Sequence, residues 1–505
     1  MYLCAGDKAI GAKNFQSAAG SKQFRRDLAA KAVRQNLSPR NGLEAVVFGY
    51  KPPEKPLTVG LLGAGQQGRR LLRAVSPKYL AVKSIADIRP SSRKLAAEIA
   101  RDAHAYDSYE KLLSAAKDDG VEAVIIALPS HLHAAAAQAA LEAGLHVFIE
   151  PPMALSVADA KKIVARSEEK KLCAAVGQQR RYNLIYENAL EMVRKDLLHQ
   201  PHYLRAQWHL AGPEKAAGES AGGAVKANGD KIDWWPEVGK EEQEMDFAGY
   251  QNPEELVRWR FYEKYSGGLL AELGSQLFDA AAMLVSAAPN HDPKRPYPLS
   301  VAGSASQVLK DAQGDIDDHV HCILEYAIQG YVDAKEVPPK ARKKIALQFD
   351  LLLGSDFDTY GETALGRRGS LVVEGERRGM IYYMEKQNQV LRVTQRKDVK
   401  GAPTGPPLLE VPKDGKADEE SEAYGELLLR GADAGFAAEL EHWACCCRGA
   451  ADGKSDSKPR CDARAGLYTT VLAVAATKAV KLGTRVDFKD EWFDPKSDET
   501  PDSLD

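Results

Sequence analysis

Three observations predict an α/β protein with a doubly wound parallel sheet, followed by a second α+β domain with an open, mostly antiparallel sheet. Apolar strands and amphipathic helices alternate from residue 57 to 177, the pattern of parallel strands joined by crossover helices. A glycine-rich turn joins the first strand to the first helix. From about 299 to 395, strand-like segments follow one another without helices between them, as in antiparallel sheets.

The composition is that of a folded globular protein. The 505 residues exceed the roughly 250–300 at which a single core stops growing, so at least two domains are expected. The formal net charge of -3 gives no reason to expect nucleic acid or a membrane surface as a partner. No apolar run reaches the ~20 residues of a membrane span. The seven cysteines lack regular spacing, and we predict neither a disulfide framework nor a metal site.

Changes in composition divide the chain into four parts. Residues 1–56 form an N-terminal arm that ends in the proline-rich "YKPPEKP", and residues 57–178 form the parallel α/β domain. Residues 179–430 form the second domain, with a polar insertion at 211–258. Residues 431–505 contain two helices and an acidic tail.

The arm contains Arg25-Arg26, which superficially resembles a twin-arginine export signal. The apolar segment that such a signal needs is interrupted at once by Lys31, Arg34 and Gln35. We therefore expect a cytoplasmic protein and keep export as a minor alternative.

The elements of the first domain are read in order from the apolar pattern. Ser156 is the expected N-cap of the last helix, and Gly144 follows the end of the preceding one. The predicted strands are "LTVGLLG", "AVKSIAD", "VEAVIIAL", "LHVFIE" and "LCAAVG".

The second domain is predicted to begin with a helix at about 184–198 and the strand "HYLRAQWHLAG". A helix is expected around 274–285, and residues 396–430 are predicted to be a loop. Helices at about 434–448 and 463–481 come near the end. The strands of the second sheet are "DDHVHCILEYA", "KKIALQFDLLLG", "GSLVVEGE" and "GMIYYM".

The turn after the first strand reads Gly63-Ala-Gly65-Gln66-Gln67-Gly68, a G-x-G-x-x-G motif between a predicted strand and a predicted helix. Gly63 permits the tight turn, Gly65 lets the backbone approach a pyrophosphate, and Gly68 lets the helix pack against the strand. The helix N-terminus offers free N–H groups and a positive dipole to phosphates. This context predicts a Rossmann domain that binds a dinucleotide.

The second strand ends at Asp87, nineteen positions after Gly68. A carboxylate at this point accepts hydrogen bonds from the adenosine ribose hydroxyls and repels a 2′-phosphate, which favours NAD. Arg89 follows two residues later, with Ser91 and Arg93 behind it, and these residues could accommodate NADP. The sequence therefore predicts NAD as the cofactor and leaves NADP as the alternative.

Two further segments are expected at the carboxyl edge of the parallel sheet, where ligands collect in open α/β folds. The strand "VEAVIIAL" runs into "ALPSHLH", and the strand "LHVFIE" ends at a carboxylate followed by two prolines. The residues expected to contact the cofactor here are Leu128, Pro129, Ser130, His133, Glu150 and Pro151.

The glycine loop, "ALPSHLH", "AGLHVFIEPP" and "SGGLLAELGSQLFDAA" stand in the order and spacing of one family, and the chain resembles the Gfo/Idh/MocA oxidoreductases. The resemblance covers residues 57–395 and the helix near 465–481. It implies a Rossmann domain, a second α/β domain whose open sheet mediates homo-oligomers, and NAD(P)-dependent oxidation or reduction of a sugar or polyol.

Two positions depart from the family pattern. Where relatives carry Glu-Lys-Pro, this chain has Glu150-Pro151-Pro152, so the lysine that contacts the substrate hydroxyl is absent. The family motif Asp-x-Gly-x-His-x-x-Asp reads Glu272-Leu-Gly-Ser-Gln276-Leu-Phe-Asp279, so glutamine replaces the acid/base histidine. Glutamine can form hydrogen bonds but cannot titrate. Three explanations stay open. Another residue has taken over the proton transfer, the protein carries out different chemistry with the same cofactor, or it binds its ligands without catalysing a reaction.

Several side chains are candidates for the missing roles. Glu272, Gln276 and Asp279 are the first choice for catalysis, and His209 and Tyr265 are weaker choices. Arg180 and Arg181 occupy a segment similar to the family's "R-Y/F-N" at the substrate mouth, and Trp259-Arg260 could offer a sugar-stacking face. Ordinary packing is the alternative for each of them.

The leading hypothesis is an NAD(P)-dependent oxidoreductase acting on a sugar, polyol or sugar derivative with atypical proton-transfer residues. One alternative is an NAD-dependent enzyme that cleaves glycosides through transient oxidation. The other is a non-catalytic paralogue that binds a dinucleotide or sugar.

Overall fold

The structure is a computed structural model that describes most of the chain from residue 50 onward. The predicted N-terminal arm, with Arg25-Arg26, lies outside the described residues except for residues 50–56. The described ranges are 50–211, 233–247, 249–309, 314–332, 343–355, 357–376, 434–449 and 458–504, with the strand backbones at 378–383, 392–394, 408–410 and 424–428.

The first domain contains a six-stranded parallel sheet in the order β3-β2-β1-β4-β5-β6, as a doubly wound fold requires. The apolar runs of the sequence form its central strands, which are buried on both faces. The strands are β1 (Leu57–Leu62), β2 (Leu80–Ala86), β3 (His104–Tyr106), β4 (Ala123–Ile126), β5 (His146–Ile149) and β6 (Ala174–Val176).

Five helices cross over between these strands. Ser156 caps the last of them, as predicted, because its hydroxyl accepts the backbone N–H of Asp159 at 3.1 Å. Gly144 has a positive φ of 80° where the preceding helix ends. The helices are α1 (Gln66–Ala74), α2 (Pro90–Ile99), α3 (Tyr109–Ala115), α4 (Ser130–Glu142) and α5 (Val157–Lys170).

The second domain contains a nine-stranded sheet in the order β16-β13-β12-β11-β7-β10-β9-β8-β17. Its described pairings are antiparallel except for the parallel pair of β7 and β10. The strands are β7 (Tyr203–Leu210), β8 (Ser300–Ser306), β9 (His319–Ala327), β10 (Lys344–Leu353), β11 (Tyr360–Leu365), β12 (Gly369–Glu374), β13 (Arg378–Tyr383), β16 (Tyr424–Leu428) and β17 (Val486–Asp487).

Among the described residues, helices cover one face of this sheet and leave the other face open. Side chains alternate along β9, where Val320, Cys322 and Leu324 are buried while Ile323 is 50% exposed. The helices are α6 (Leu184–Arg194), α7 (Lys240–Glu244), α8 (Pro253–Val257), α9 (Glu263–Ser266), α10 (Leu269–Glu272) and α11 (Gly274–Ala287).

The prediction that 396–430 is only a loop was wrong where the structure describes it. β14 (Arg392–Thr394) pairs antiparallel with β15 (Leu408–Glu410), and β16 extends the large sheet beside β13. β16 is stabilised by pairing with the edge strand β13, and β14 and β15 pair with each other in a separate two-stranded sheet. Local propensity does not show such pairing.

The C-terminal helices pack on both domains. Helix α12 (Ala434–Cys447) buries Phe436, Leu440 and Trp443 against the parallel sheet, where the rings of Trp443 and Phe148 lie 5.5 Å apart. Helix α13 (Ala463–Leu482) packs on α5 of the first domain and on β8 of the second.

The acidic tail returns to the first domain. Lys161 of α5 donates to the carbonyls of Glu491, Ser497 and Glu499 at 2.7–2.9 Å. The carboxylate of Asp502 accepts the backbone N–H groups of Val157 and Ala158, both at 2.9 Å, at the start of α5. Because β17 belongs to the second sheet, the tail ties the two domains together.

Residues Glu263–Ala287 have the length and mean hydropathy, 1.3, of a membrane span. Of the most apolar window, 78% is buried inside the protein. The apolar character of this segment is therefore explained by the burial of α9, α10 and α11 in the core of the protein.

Replacing Asp502 by alanine is expected to destabilise the fold by about 0.5–2 kcal/mol, because two N–H groups of α5 lose their acceptor. Thermal and urea unfolding of D502A measure this loss. The exposed Asp498 provides the matched control, and equal stability of D502A and D498A would contradict the capping role.

Candidate cofactor and active site

The glycine loop has the geometry of a phosphate cradle. Gly63 has a φ of 92°, and a Cβ there would lie 2.4 Å from the carbonyl oxygen of Ala127. A Cβ on Gly68 would lie 2.0 Å from the oxygen of Gly63, so this glycine permits the close approach of α1. A Cβ on Gly65 would meet nothing within 4 Å. The backbone at Gly65 therefore faces open space at the N-terminus of α1, as pyrophosphate binding requires.

Asp87 lies beside this loop at the end of β2. Its carboxylate accepts the backbone N–H of Ala64 at 2.8 Å and that of Arg89 at 2.8 Å. Burial raises the pKa of Asp87, and these hydrogen bonds together with the charges of Arg89 and Arg93 oppose the shift. The contact with Ala64 fixes the carboxylate next to the phosphate loop, where the adenosine ribose is expected.

His133 connects the segments that follow β4 and β5. Its ring nitrogens lie 2.7 Å from the carbonyl oxygens of Leu128 and Pro152. Burial lowers the pKa of His133, although both carbonyls favour the charged ring. Both ring nitrogens are thus occupied by backbone carbonyls, and His133 links the segment after β4 to the segment after β5.

Glu150 ends β5 and lies beside the glycine loop. Its Oε2 accepts from Nε2 of Gln67 at 2.9 Å, while Oε1 is buried without a hydrogen-bond partner among the described residues. Burial raises the pKa of Glu150 to about 8, against the hydrogen bond from Gln67 and the charge of Arg70. Such a carboxyl can exchange a proton near neutral pH.

A second buried carboxyl, Glu439 of α12, faces this part of the first domain. It is 1% exposed, and neither of its oxygens has a hydrogen-bond partner among the described residues. Burial raises its pKa, and the charges of Glu150 and Glu376 raise it further. Two carboxyls that interact in this way do not both ionise readily.

Glu272 joins the two domains at the same edge. Its carboxylate accepts a hydrogen bond from the hydroxyl of Ser130, and its Oε2 lies 3.3 Å from Nε of Arg260. The guanidinium of Arg260 also covers the ring of Trp259, at 4.4 Å from the centroid. Burial raises the pKa of Glu272, while Arg260 and Ser130 act against the shift. The predicted group Glu272, Trp259 and Arg260 is therefore brought together in space.

Asp279 is held in a buried ion pair. Nε of Arg181 donates to its two oxygens at 3.0 and 2.9 Å, and Nη2 donates at 2.7 Å. The charge of Asp279 raises the pKa of Arg181 despite burial, which acts to lower it. Arg181, predicted to bind substrate, and Asp279, predicted to act in catalysis, are thus paired with each other. Gln276 lies half-buried in the first turn of α11.

Arg180, predicted to bind substrate, is buried within the second domain. It pairs with Glu376 at 2.7 Å and Glu362 at 3.1 Å. Because the chain forms a 3-10 turn at 179–182, adjacent arginines enter different surroundings. Arg180 is therefore explained as a core ion pair.

The two weaker catalytic candidates are also engaged elsewhere. Nδ1 of His209 lies 2.7 Å from the carbonyl oxygen of Phe357. The hydroxyl of Tyr265 donates to Glu255 at 2.6 Å, and its ring packs on His131 with centroids 4.9 Å apart. Tyr265 thus supports the segment after β4, whereas His209 contacts a loop of the second domain.

Two buried carboxyls of the structure, Glu439 and Glu242, are not among the residues predicted from the sequence. Glu439 lies with Phe436, Leu440 and Trp443 on the apolar stripe of a helix, and a carboxylate on such a stripe is a signal that could have been used. Glu242 belongs to the polar insertion, where no local pattern distinguishes it from neighbouring acids. In the described ranges, no group of three or more His, Cys, Asp or Glu side chains could hold a metal ion.

The parallel sheet, its strand order and the glycine loop define a Rossmann fold of the dinucleotide-binding type. Residues 57–178 match the model of an oxidoreductase family with an NAD-binding Rossmann fold, and residues 242–488 match the C-terminal alpha/beta domain of the same family. The chain belongs to the Gfo/Idh/MocA oxidoreductase family.

Curated relatives share part of the chain. UDP-N-acetylglucosamine 3-dehydrogenase of Acidithiobacillus ferrooxidans is 29% identical over 30% of this chain and 45% of its own length. Inositol 2-dehydrogenase of Salmonella typhimurium is 32% identical over 29% of this chain and 44% of its own length. Levoglucosan dehydrogenase of Pseudarthrobacter phenanthrenivorans is 25% identical over 64% and 74%. The chain spans less than half the length of the first curated relatives it matches.

Solved structures share the fold. An inositol dehydrogenase homolog from Azotobacter vinelandii, complexed with NADH and myo-inositol, superposes with a TM-score of 0.58 at 16% identity, covering 88% of this chain and 100% of that one. Levoglucosan dehydrogenase in complex with NADH and levoglucosan gives 0.55 at 16% identity, covering 86% and 100%. The two-domain architecture is therefore confirmed.

Replacing Glu150 by glutamine is expected to flatten the pH dependence of stability. The pKa of this carboxyl is raised from 4.5 to about 8 in the folded protein, so the folded state holds the proton more tightly between these values. The stability contributed by the protonated group is lost as pH rises through that window. Thermal unfolding of the cofactor-free protein from pH 5 to 9 measures the slope.

E150Q should unfold at a higher temperature than the wild type at pH 9 and lose much of the slope, with Glu439 supplying the remainder. The exposed Glu98 provides the control variant E98Q. Identical slopes for E150Q and the wild type would show that Glu150 is ionised throughout.

Proposed function

We propose that the protein is an NAD-dependent oxidoreductase acting on a sugar, polyol or sugar derivative, with a proton acceptor different from that of its relatives. One observation carries this proposal. The glycine loop has the geometry of a phosphate cradle, with Asp87 hydrogen-bonded to it, and the buried carboxyls Glu150 and Glu272 lie at the carboxyl edge of the same sheet.

The residues present fit a dinucleotide. Gly63, Gly65 and Gly68 with the N-terminus of α1 would hold the pyrophosphate, and Asp87 would accept the ribose hydroxyls. When bound, the nicotinamide ring supplies the hydride acceptor or donor. The named relatives, which are dehydrogenases of inositol, levoglucosan and a nucleotide sugar, support carbohydrate as the substrate class.

We assign the proton-accepting role to Glu150. Asp279 is fully paired with Arg181, and both oxygens of Glu272 face donors, the hydroxyl of Ser130 and the guanidinium of Arg260. Glu150 keeps one oxygen without a partner among the described residues, and its pKa is about 8. A base with a pKa near the working pH contributes roughly 10²–10⁴-fold to rate.

Glu272, Arg260 and Trp259 form the substrate side in this proposal. Arg260 holds the Glu272 carboxylate on one side while Ser130 holds it on the other, so the carboxylate can accept a sugar hydroxyl in a fixed orientation. Trp259 supplies an aromatic surface next to them.

A homo-oligomer through the open sheet remains part of the proposal. The exposed Ile323 and the polar network of Arg205, Asp350 and His321 lie on that face. Sedimentation of the purified protein would determine the number of subunits.

Purified protein should reduce NAD with at least one member of a broad carbohydrate panel, followed by nicotinamide absorbance. E150Q should lower kcat by roughly 10²–10⁴-fold because the base is lost, while NAD affinity changes little. E98Q is the control. Full activity of E150Q would exclude Glu150 as the proton acceptor.

Two alternatives start from the missing lysine and histidine. An enzyme that cleaves glycosides through transient oxidation would release the aglycone without added NAD, provided that NAD remains bound after purification. A paralogue that only binds would show NAD affinity without turnover. In that case, Pro151→Lys combined with Gln276→His should create turnover, and failure to do so would contradict a simple loss of these two carriers.

A further inference from the structure

Glu242, a residue of the insertion, contacts Arg89 and Ser91, the two residues that could otherwise bind a 2′-phosphate. Oε1 of Glu242 accepts hydrogen bonds from Nε of Arg89 at 2.9 Å and from the hydroxyl of Ser91 at 2.8 Å. The same oxygen lies 2.8 Å from Nη2 of Arg89 in an ion pair. The Glu242 side chain is 3% exposed, although it belongs to a short helix rich in acidic residues.

Arg89 and Ser91 lie two and four residues after Asp87, around the start of α2. In a dinucleotide-binding fold, this is the region beside the adenosine ribose, where an arginine receives the extra phosphate of NADP. Arg93 is directed elsewhere, because its Nη1 donates to the backbone oxygens of Asp87 at 2.6 Å and Ile88 at 3.1 Å. Glu242 therefore engages the side chains best placed to bind a 2′-phosphate.

We propose that Glu242 substitutes for the 2′-phosphate and makes the site select NAD over NADP. This inference rests on the proposed cofactor. NADP would have to displace Glu242 from two charge-assisted contacts or bring its phosphate next to two carboxylates, Asp87 and Glu242. NAD carries no charge at this position and can bind with the contacts intact.

The charge state of Glu242 agrees with this role. Burial acts to raise its pKa, but the hydrogen bonds from Ser91 and Arg89 and the charge of Arg89 lower it overall. The carboxylate is thus ionised at neutral pH, and it neutralises Arg89 before any cofactor arrives.

The segment that carries Glu242, residues 233–247, is fixed to the first domain at more than this point, and we call it the strap. The backbone N–H of Asp233 donates to Oε1 of Gln66 in the glycine loop at 2.7 Å. Met245 and Phe247 pack in a cluster with Ile88, which follows Asp87. Glu242 is therefore delivered by a segment that borders both the phosphate cradle and the ribose edge.

The alternative is an ion pair that only stabilises the insertion. Such a pair would affect unfolding but would leave the ratio of NADP to NAD affinity unchanged. Cofactor selectivity therefore separates the two explanations.

The test is isothermal titration of full-length wild type, E242Q and E241Q with NAD and NADP. Glu241 is the adjacent, exposed acid in the same helix and serves as the matched control. Wild type and E241Q should bind NAD more tightly than NADP. E242Q should gain at least roughly tenfold in NADP affinity, as expected for freeing charge-assisted donors, and change less than about threefold for NAD.

Adding Arg89→Ala to E242Q should remove the gain in NADP affinity. An unchanged NADP affinity in folded E242Q that still binds NAD would overturn the inference, as would wild type binding both cofactors equally. Binding of neither cofactor by the wild type would instead contradict the proposed function. If E242Q does not fold, E242D replaces it in the test. Its shorter side chain should weaken the contacts with Arg89 and Ser91 and raise NADP affinity, by less than the roughly tenfold expected for E242Q, and no gain would count against the inference.

Discussion

The buried ion pair of Arg181 and Asp279 sets the relation between the two domains. Arg181 follows the last strand of the parallel sheet, Asp279 lies in the central helix of the second domain, and Arg181 also donates to the carbonyl of Arg460. Removal of one partner from such a pair leaves an uncompensated buried charge, at a cost of about 3–5 kcal/mol. Glu272 lies seven residues before Asp279, so the contact of Glu272 with Ser130 depends on the same placement.

The carboxyls near the sheet edge differ because their surroundings differ. Asp279 receives three hydrogen bonds from the guanidinium of Arg181. The carboxylate of Glu272 contacts one hydroxyl and one guanidinium, and that of Glu150 accepts from one amide. Pairing favours the charged form, whereas burial without a partner favours the neutral one. The site therefore contains a carboxylate fixed by a guanidinium, Asp279, and a carboxyl whose pKa burial raises, Glu150. Catalytic sites use such differences between neighbouring carboxyls.

Much of the fold follows from local sequence because most strands of the parallel sheet are predominantly apolar. The exception, β3, has three residues with partly or fully exposed side chains, so neither hydrophobicity nor alternation distinguishes it. Helix α12 was predicted within a residue of its observed end. Its apolar stripe shows that it packs on something, but only the tertiary structure shows that it covers the parallel sheet.

The site was predictable to the extent that its chemistry is local. The glycine loop and Asp87 depend on spacing within one strand–helix–strand unit, which the sequence displays directly. Arg180 and Arg181 are adjacent and identical in type, yet one enters the second domain and the other pairs across the domain boundary. Glu242 contacts a residue 153 positions away, and such a contact leaves no periodic signal.

The attachment of the acidic tail to the first domain affects how a bound nucleotide could leave its site. Helix α13, the Arg181–Asp279 pair and the Asp502 cap hold the domains together at several separate points, so opening by rotation of one domain would break all of them. The contacts of the strap with the first domain are local, at Gln66, Arg89 and Ser91 and in the cluster with Ile88. We therefore expect the residence time of the cofactor to depend on local detachment of this segment, so that one stretch of chain governs both which nucleotide enters and how long it stays.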